Sequence, residues 1–107
     1  MSDGPQRGEV WRYAAADRTY NVVVVSTDLH NAAVGAYPVC VMVYRRQLSD
    51  DEAAFVTRLA DEDPVGGTVD VTTIRELHPD GFAERVGMVT GATLDRIHAA
   101  MRDLFEM

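Results

Sequence analysis

The chain has 107 residues, 47% hydrophobic and 25% charged, with a formal net charge of −7. This is the size and composition of one globular domain. No apolar run approaches the ~18 residues a membrane helix needs, and the acidic balance argues against broad, non-specific nucleic-acid binding. The charge is unevenly placed: residues 1–49 carry five arginines against four acids, and residues 50–107 carry five arginines against thirteen acids. Every basic residue is arginine, whose planar fork suits phosphate, so any phosphate contact is expected from the first half.

In chain order, residues 1–7 read as a flexible N-terminal leader and 8–107 as a single domain. The first five residues lack a basic region followed by an apolar stretch, so no secretory signal is expected and the cytoplasm is the expected compartment. Glu9 to Ala14 alternates weakly and predicts a strand. Ala15 to Thr19 reads as a polar turn. Tyr20 to Ser26 contains four consecutive valines. Their stiff, branched side chains favour a strand, and apolar residues on both faces make it a central, buried one. Asp28 to Gly35 is a polar excursion with one helical turn. Pro38 to Tyr44 is a third strand, with proline at its first position, where a missing donor costs least.

Arg45 to Ala53 reads as a charged loop, although Ser49 three residues before Glu52 also matches a helix cap. Ala54 to Leu59 alternates as a fourth strand, Asp61 to Gly67 turns, and Thr68 to Leu77 is a fifth extended segment. His78 to Gly81 is a second turn, with Asp80 opening a helical turn through Arg85. Val86 to Val89 is a short last strand. Thr90 then caps a helix in which Leu94, Ile97, Met101, Leu104 and Phe105 form one apolar stripe. Several strands closed by one amphipathic helix predict a mainly β fold with a C-terminal α-helix, in the form of a small barrel or strongly bent sheet.

Cys40 sits in an apolar run, so a buried thiol is expected, and one cysteine makes no internal disulfide. His30, His78 and His98 follow no metal-ligand spacing. No metal site and no cofactor is expected, and there is no phosphate-loop or nucleotide motif.

Taken together, Arg7-Gly8-Glu9-Val10-Trp11, Val22 to Ser26 with Asn31, Ile74-Arg75-Glu76-Leu77, and Arg85-Val86-Gly87-Met88-Val89-Thr90 with its helix resemble the MazF/PemK toxins. The resemblance runs over nearly the whole chain. It implies a small SH3-like β-barrel of the CcdB/PemK/MazF type, a homodimer, and a cognate small antitoxin as partner. The implied activity is metal-independent endoribonuclease cleavage of single-stranded RNA that inhibits growth, as the toxin of a type II toxin–antitoxin system. Such cleavage needs a base for the 2′-hydroxyl, a cation for the phosphorane charge and an acid for the leaving oxygen.

The site positions depart from the family pattern. The family's catalytic arginine stands in an Arg-Pro pair before the second strand, where this chain has Tyr20-Asn21. Its threonine or serine at the end of the third strand is replaced by Tyr44-Arg45-Arg46. Its Asp-Gln before Ile-Arg is Thr72-Thr73. The expected catalytic cluster is therefore Arg18, Tyr20, Tyr44 and Arg45. The arginines would hold phosphate, and the phenols would hydrogen-bond and stack. Arg46, Thr72, Thr73 and Trp11 are the expected RNA-binding residues. A catalytically degenerate protein that binds RNA or an antitoxin-like peptide is the alternative. A CcdB-like gyrase inhibitor is the second alternative, disfavoured by the ending Phe105-Glu106-Met107 where that relative ends Trp-Gly-Ile.

Overall fold

The computed structural model describes residues 4–45 and 55–106. Strand β1 (Glu9–Ala15) turns directly into β2 (Arg18–Val24). Only Ala16 and Asp17 form the turn, so Arg18 and Thr19 belong to the strand and not to the longer loop expected. Ala16 takes the left-handed φ of +47° that this tight hairpin demands. Helix α1 (Asp28–Ala32) is one short turn, capped where the Thr27 side chain accepts a hydrogen bond from the His30 N–H. Strand β3 (Val39–Tyr44) follows Pro38 as expected. Strands β4 (Val56–Arg58) and β5 (Thr68–Glu76) form the next pair.

The helical turn expected from Asp80 to Arg85 is only a 3-10 turn over Pro79–Gly81. Residues Phe82–Met88 are strand β6 instead. Here Asp80 faces the imidazole Nδ1 of His78, which accepts the Asp80 N–H at 3.0 Å and closes the turn at once. The edge position of β6 explains its mixed polar sequence, since one side of it faces solvent.

The six strands form one sheet in the order β4-β5-β3-β2-β1-β6, with every neighbouring pair antiparallel. The mainly β architecture with one C-terminal helix is as expected, but the sheet does not close into a barrel: β4 and β6 are its two edges. Strand β4 contributes only three residues, and the helix α2 (Gly91–Phe105) packs against β4 and β5. Register shifts in the β1–β6 and β3–β5 ladders bend the open sheet instead.

The bent sheet is apolar on both faces. On one, Val10, Val23, Val41, Val69 and Val71 pack with Ile97 of α2. On the other, Val22, Val24, Cys40 and Leu77 pack with Tyr13. The valine run of β2 supplies both clusters, which is why none of Val22 to Val25 is more than 9% exposed. Full burial of each such side chain contributes about 1.5–3 kcal/mol. In α2, Ile97 is fully buried and Leu94, Met101 and Leu104 are half-buried, but Phe105 is half exposed at the helix end. Among the described residues no helix is long and apolar enough to cross a membrane.

Candidate functional site

The antiparallel register of β2 and β3 sets Val22 opposite Met42 and Val23 opposite Val41. Carried two residues further, it brings the start of β2 and the end of β3 together with Tyr20 beside Tyr44. Two hollows adjoin at this point, and Thr19, Tyr20, Val43 and Tyr44 line both. The first, about 300 Å³, is completed by Arg12, Asn21, Arg45 and Gly66. It continues along the loop after β4, where Asn21 and Arg45 meet Val65 and Gly67. The second, about 560 Å³, is completed by Arg18 and Met42. Side chains alternate along a strand, so Tyr20 and Tyr44 share the sheet face of Val22 and Met42, whereas Asn21 and Arg45 share that of Val23 and Val43; the arginines divide likewise, Arg45 lining one hollow and Arg18 the other.

The hollows differ in chemistry. The first gathers two guanidiniums, a carboxamide and hydroxyls, and among the described residues no carboxylate lines it. In a chain of net charge −7, this is a local reversal of sign, and paired guanidiniums with hydroxyl donors suit an oxyanion such as a phosphate. The second is lined by Met42 and the two tyrosines beside Arg18, an environment for a flat apolar group beside a cation. Tyr20 is itself braced from behind by the ring of Tyr13, 5.7 Å away. Tyr13 is buried and its hydroxyl donates to the His78 carbonyl at 3.1 Å. Burial, with Tyr20 nearby, raises its pKa and keeps it a neutral strut.

The loop between β4 and β5 sets the floor of the first hollow. Gly67 has φ +114°, and a Cβ there would lie 2.1 Å from the Tyr44 carbonyl oxygen, so only glycine lets the loop close onto the end of β3. Gly66 is the opposite case: it lines the hollow and a Cβ added there meets nothing within 4 Å. The same loop carries Asp63, buried at 8% exposure. Its carboxylate accepts from the Ala60 N–H at 2.6 Å, the Thr90 N–H at 2.8 Å and the Thr93 hydroxyl at 2.7 Å. Burial pushes its pKa up, but these hydrogen bonds, with Arg96 nearby, outweigh burial and hold it below the usual carboxylate range. Asp63 thus ties the loop to the first turn of α2. In sequence it stands among acids that read only as a solvated turn.

The other expected site residues lie elsewhere. Trp11 is half-buried, donates its indole N–H to Glu9 at 3.1 Å and meets Phe82 edge-on at 5.7 Å. Glu9 is buried and also accepts from the Gln6 N–H at 2.6 Å and from Arg85. Thr73 is engaged within the sheet, where its hydroxyl accepts the Met42 N–H at 2.9 Å and donates to the Asp70 carbonyl at 2.6 Å, spanning the register shift between β3 and β5. Thr72 donates to the Asp70 carboxylate at 2.6 Å. None of Trp11, Thr72 and Thr73 lines either hollow. Arg46 lies outside the described residues, as does most of the charged loop expected from Arg45 to Ala53. Arg12, Asn21 and Gly66 were not singled out from sequence. Arg12 and Asn21 are direct partners across the β1–β2 ladder, and only that register reveals them as neighbours of Arg45.

The remaining candidate groups are structural. Cys40 is buried, and burial pushes its thiol up to about 12. His30 faces the Tyr37 carbonyl at 2.9 Å, and the Tyr37 ring lies 5.1 Å from that of His78. His98 is half-buried on α2, where burial first, then Arg7 and Arg102, lower its pKa against the opposing pull of Asp95. Among the described residues no three His, Cys, Asp or Glu side chains converge to hold a metal ion. A third concavity, about 630 Å³, is an open groove between β4 and α2 whose rim carries Arg58, Arg96 and Asp103. It has no phenol and mixes both signs of charge.

Residues 6–105 match the family of PemK-like, MazF-like toxins of type II toxin–antitoxin systems. The chain belongs to that family. Its fold is similar to that of an endoribonuclease solved in complex with its cognate antitoxin from Mycobacterial species, with TM-score 0.86, 24% identity and 97% of each chain covered. It is also similar to MazF in a MazE–MazF structure from Deinococcus radiodurans, with TM-score 0.84, 19% identity and 99% of each chain covered. At these identities the likeness is one of fold. No curated protein sequence matches the chain.

Proposed function

We propose that this chain is the toxin of a type II toxin–antitoxin pair, acting as a metal-independent endoribonuclease on single-stranded RNA in the cytoplasm. In this reading residues 8–107 are the single toxin domain, which works as a homodimer and is neutralised by a small cognate antitoxin. Family membership supports the toxin role, and the relatives described as endoribonucleases support the reaction class. The observation that carries the reading is the pair of adjoining hollows: an arginine-lined one of phosphate character and an apolar one of base character, with Tyr20 and Tyr44 among the residues of both.

In the reaction, the 2′-oxygen attacks the neighbouring phosphorus and the P–O5′ bond breaks, leaving a 2′,3′-cyclic phosphate and a 5′-hydroxyl. Arg45 meets the charge that builds on the phosphorane oxygens, as a preorganised cation does. The attacking 2′-hydroxyl passes its proton to one phenolic oxygen as that phenol's own proton moves to the second phenol and the second's to the departing 5′-oxygen, so the net transfer is from 2′-oxygen to 5′-oxygen and both phenols are restored. Arg18 and the tyrosine faces hold the adjoining nucleotide. Fixing the attacking and departing oxygens in line is itself a large part of such a rate enhancement. Trp11 and Thr72 are assigned to more distant parts of the RNA path.

Purified protein incubated with a mixed-sequence single-stranded RNA in the presence of a chelator is expected to give discrete fragments, and Arg45→Ala is expected to reduce them by about 10²-fold or more. A second reading, binding without cleavage, is favoured by the replacement of three family site positions by Tyr20-Asn21, Tyr44-Arg45 and Thr72-Thr73. Harmless expression in a host and an intact RNA that nonetheless co-purifies would select it.

A further inference from the structure

Strand β1 lies between β2 and β6, and Arg12 is paired across one ladder with Asn21 and across the other with Glu84. Its side chain therefore has two places to go on one face of the sheet. Towards β6 it meets the Glu84 carboxylate, with Nη1 at 3.5 Å from Oε1. Towards β2 it lines the hollow that holds Asn21, Tyr20, Tyr44 and Arg45. The contact with Glu84 is weak on its own terms. At 3.5 Å it is longer than a charge-assisted hydrogen bond, and both side chains are more than half exposed, so water screens it. A phosphate in the hollow presents a stronger and geometrically better acceptor for the same guanidinium.

We propose that Arg12 is a further phosphate-binding residue of this site, and that Glu84 is an internal competitor that holds it until RNA arrives. The inference rests on the reading of the site as an RNA site, and adds to it the residue that supplies the second cation and the carboxylate that sets the threshold for binding. Arg12 touches the substrate phosphate. Glu84 touches Arg12 and not the substrate, and acts through Arg12. Binding is then an exchange in which Arg12 leaves one carboxylate oxygen for a phosphate oxygen, with no bond made or broken.

The test is binding of a short single-stranded RNA whose 2′-hydroxyls are replaced by hydrogen, so that no cleavage intervenes, measured over a range of salt. Four proteins are compared with wild type: Arg12→Gln, Glu84→Gln, the double variant, and Arg45→Ala as the reference for the site itself. Arg12→Gln is expected to weaken binding about tenfold and to reduce the slope of log affinity against log salt by about 0.7, the loss of one phosphate contact on a single strand. Glu84→Gln is expected to tighten binding about threefold in the wild-type background, in keeping with the small worth of an exposed pair, and to do nothing when Arg12 is already glutamine. Unchanged thermal midpoints show that the variants fold.

An unchanged salt slope in Arg12→Gln overturns the proposal, and if Arg45→Ala still loses binding the RNA site itself stands. Equal tightening by Glu84→Gln with and without Arg12 also overturns it, because the effect would then be one of net charge. A wild-type chain that does not bind the oligonucleotide contradicts both this inference and the site on which it rests.

Discussion

Tyr20 and Tyr44, one at the start of β2 and one at the end of β3, share the sheet face of Met42 and line the apolar hollow, which adjoins the polar hollow of Arg12, Asn21 and Arg45 at the strand ends. A nucleotide has the same division, a charged phosphate beside a flat base, and the adjacency of those two environments is the feature from which the functional reading follows.

Neighbouring glycines at the edge of this site give opposite expectations. Gly66→Leu adds an apolar side chain at the hollow's lining, at a position where a Cβ meets nothing within 4 Å. It is expected to block RNA binding while changing stability by no more than about 0.5 kcal/mol. Gly67→Ala is expected to destabilise the fold by about 1–3 kcal/mol, because φ +114° and a contact 2.1 Å from the Tyr44 carbonyl leave no room for a Cβ. Urea unfolding of the two variants, read beside RNA binding, checks the contrast.

Asp63→Asn is expected to cost about 1–3 kcal/mol at neutral pH, since it weakens a buried acceptor for three donors, two of them at the start of α2. The pH dependence has a definite sign. The folded pKa is lowered, so the stabilisation from Asp63 is present above the ordinary value of 3.8 and is lost as pH falls through the folded value. The stability gap between wild type and Asp63→Asn should therefore close as pH is taken from about 5 to about 2.

His98 behaves in the opposite chemical sense. Its lowered pKa means that the unfolded chain binds the proton more readily than the folded one. Stability from this group is full above the ordinary value of 6.5 and falls as pH drops below it. Thermal midpoints at about pH 7.5 and about pH 5.5 are expected to differ less in His98→Gln than in wild type, which spans the histidine range.

Much of the scaffold was legible because it rests on local pattern. The four valines of β2 need apolar neighbours on both faces, and the stripe of Leu94, Ile97, Met101 and Leu104 needs a sheet to cover. Two elements were misread where local pattern is weak. Arg18 and Thr19 looked like turn residues, but the hairpin closes on Ala16 and Asp17 alone, with Ala16 accepting a left-handed φ. Phe82 to Arg85 looked helical because Asp80 precedes it, but as an edge strand β6 is under no pressure to alternate cleanly.

The site was legible only in part, for a related reason. Tyr20 and Tyr44 could be brought together from strand order, because they flank consecutive strands. Placing Arg12 needed the register of β1 against both β2 and β6, in which it faces Asn21 and Glu84. Composition and spacing do not encode that register. Thr73 illustrates the converse: its hydroxyl looked available for RNA, yet the register shift between β3 and β5 occupies it with the Met42 N–H and the Asp70 carbonyl.

The most direct measurement is a backbone-amide NMR titration of the protein with a non-cleavable single-stranded dinucleotide. The account predicts shifts concentrated at residues 18–21, 43–45 and 65–67, the segments that line the two hollows. Shifts that bypass those segments and concentrate at Leu59, Ala60 and Ala100, along the groove between β4 and α2, would contradict it.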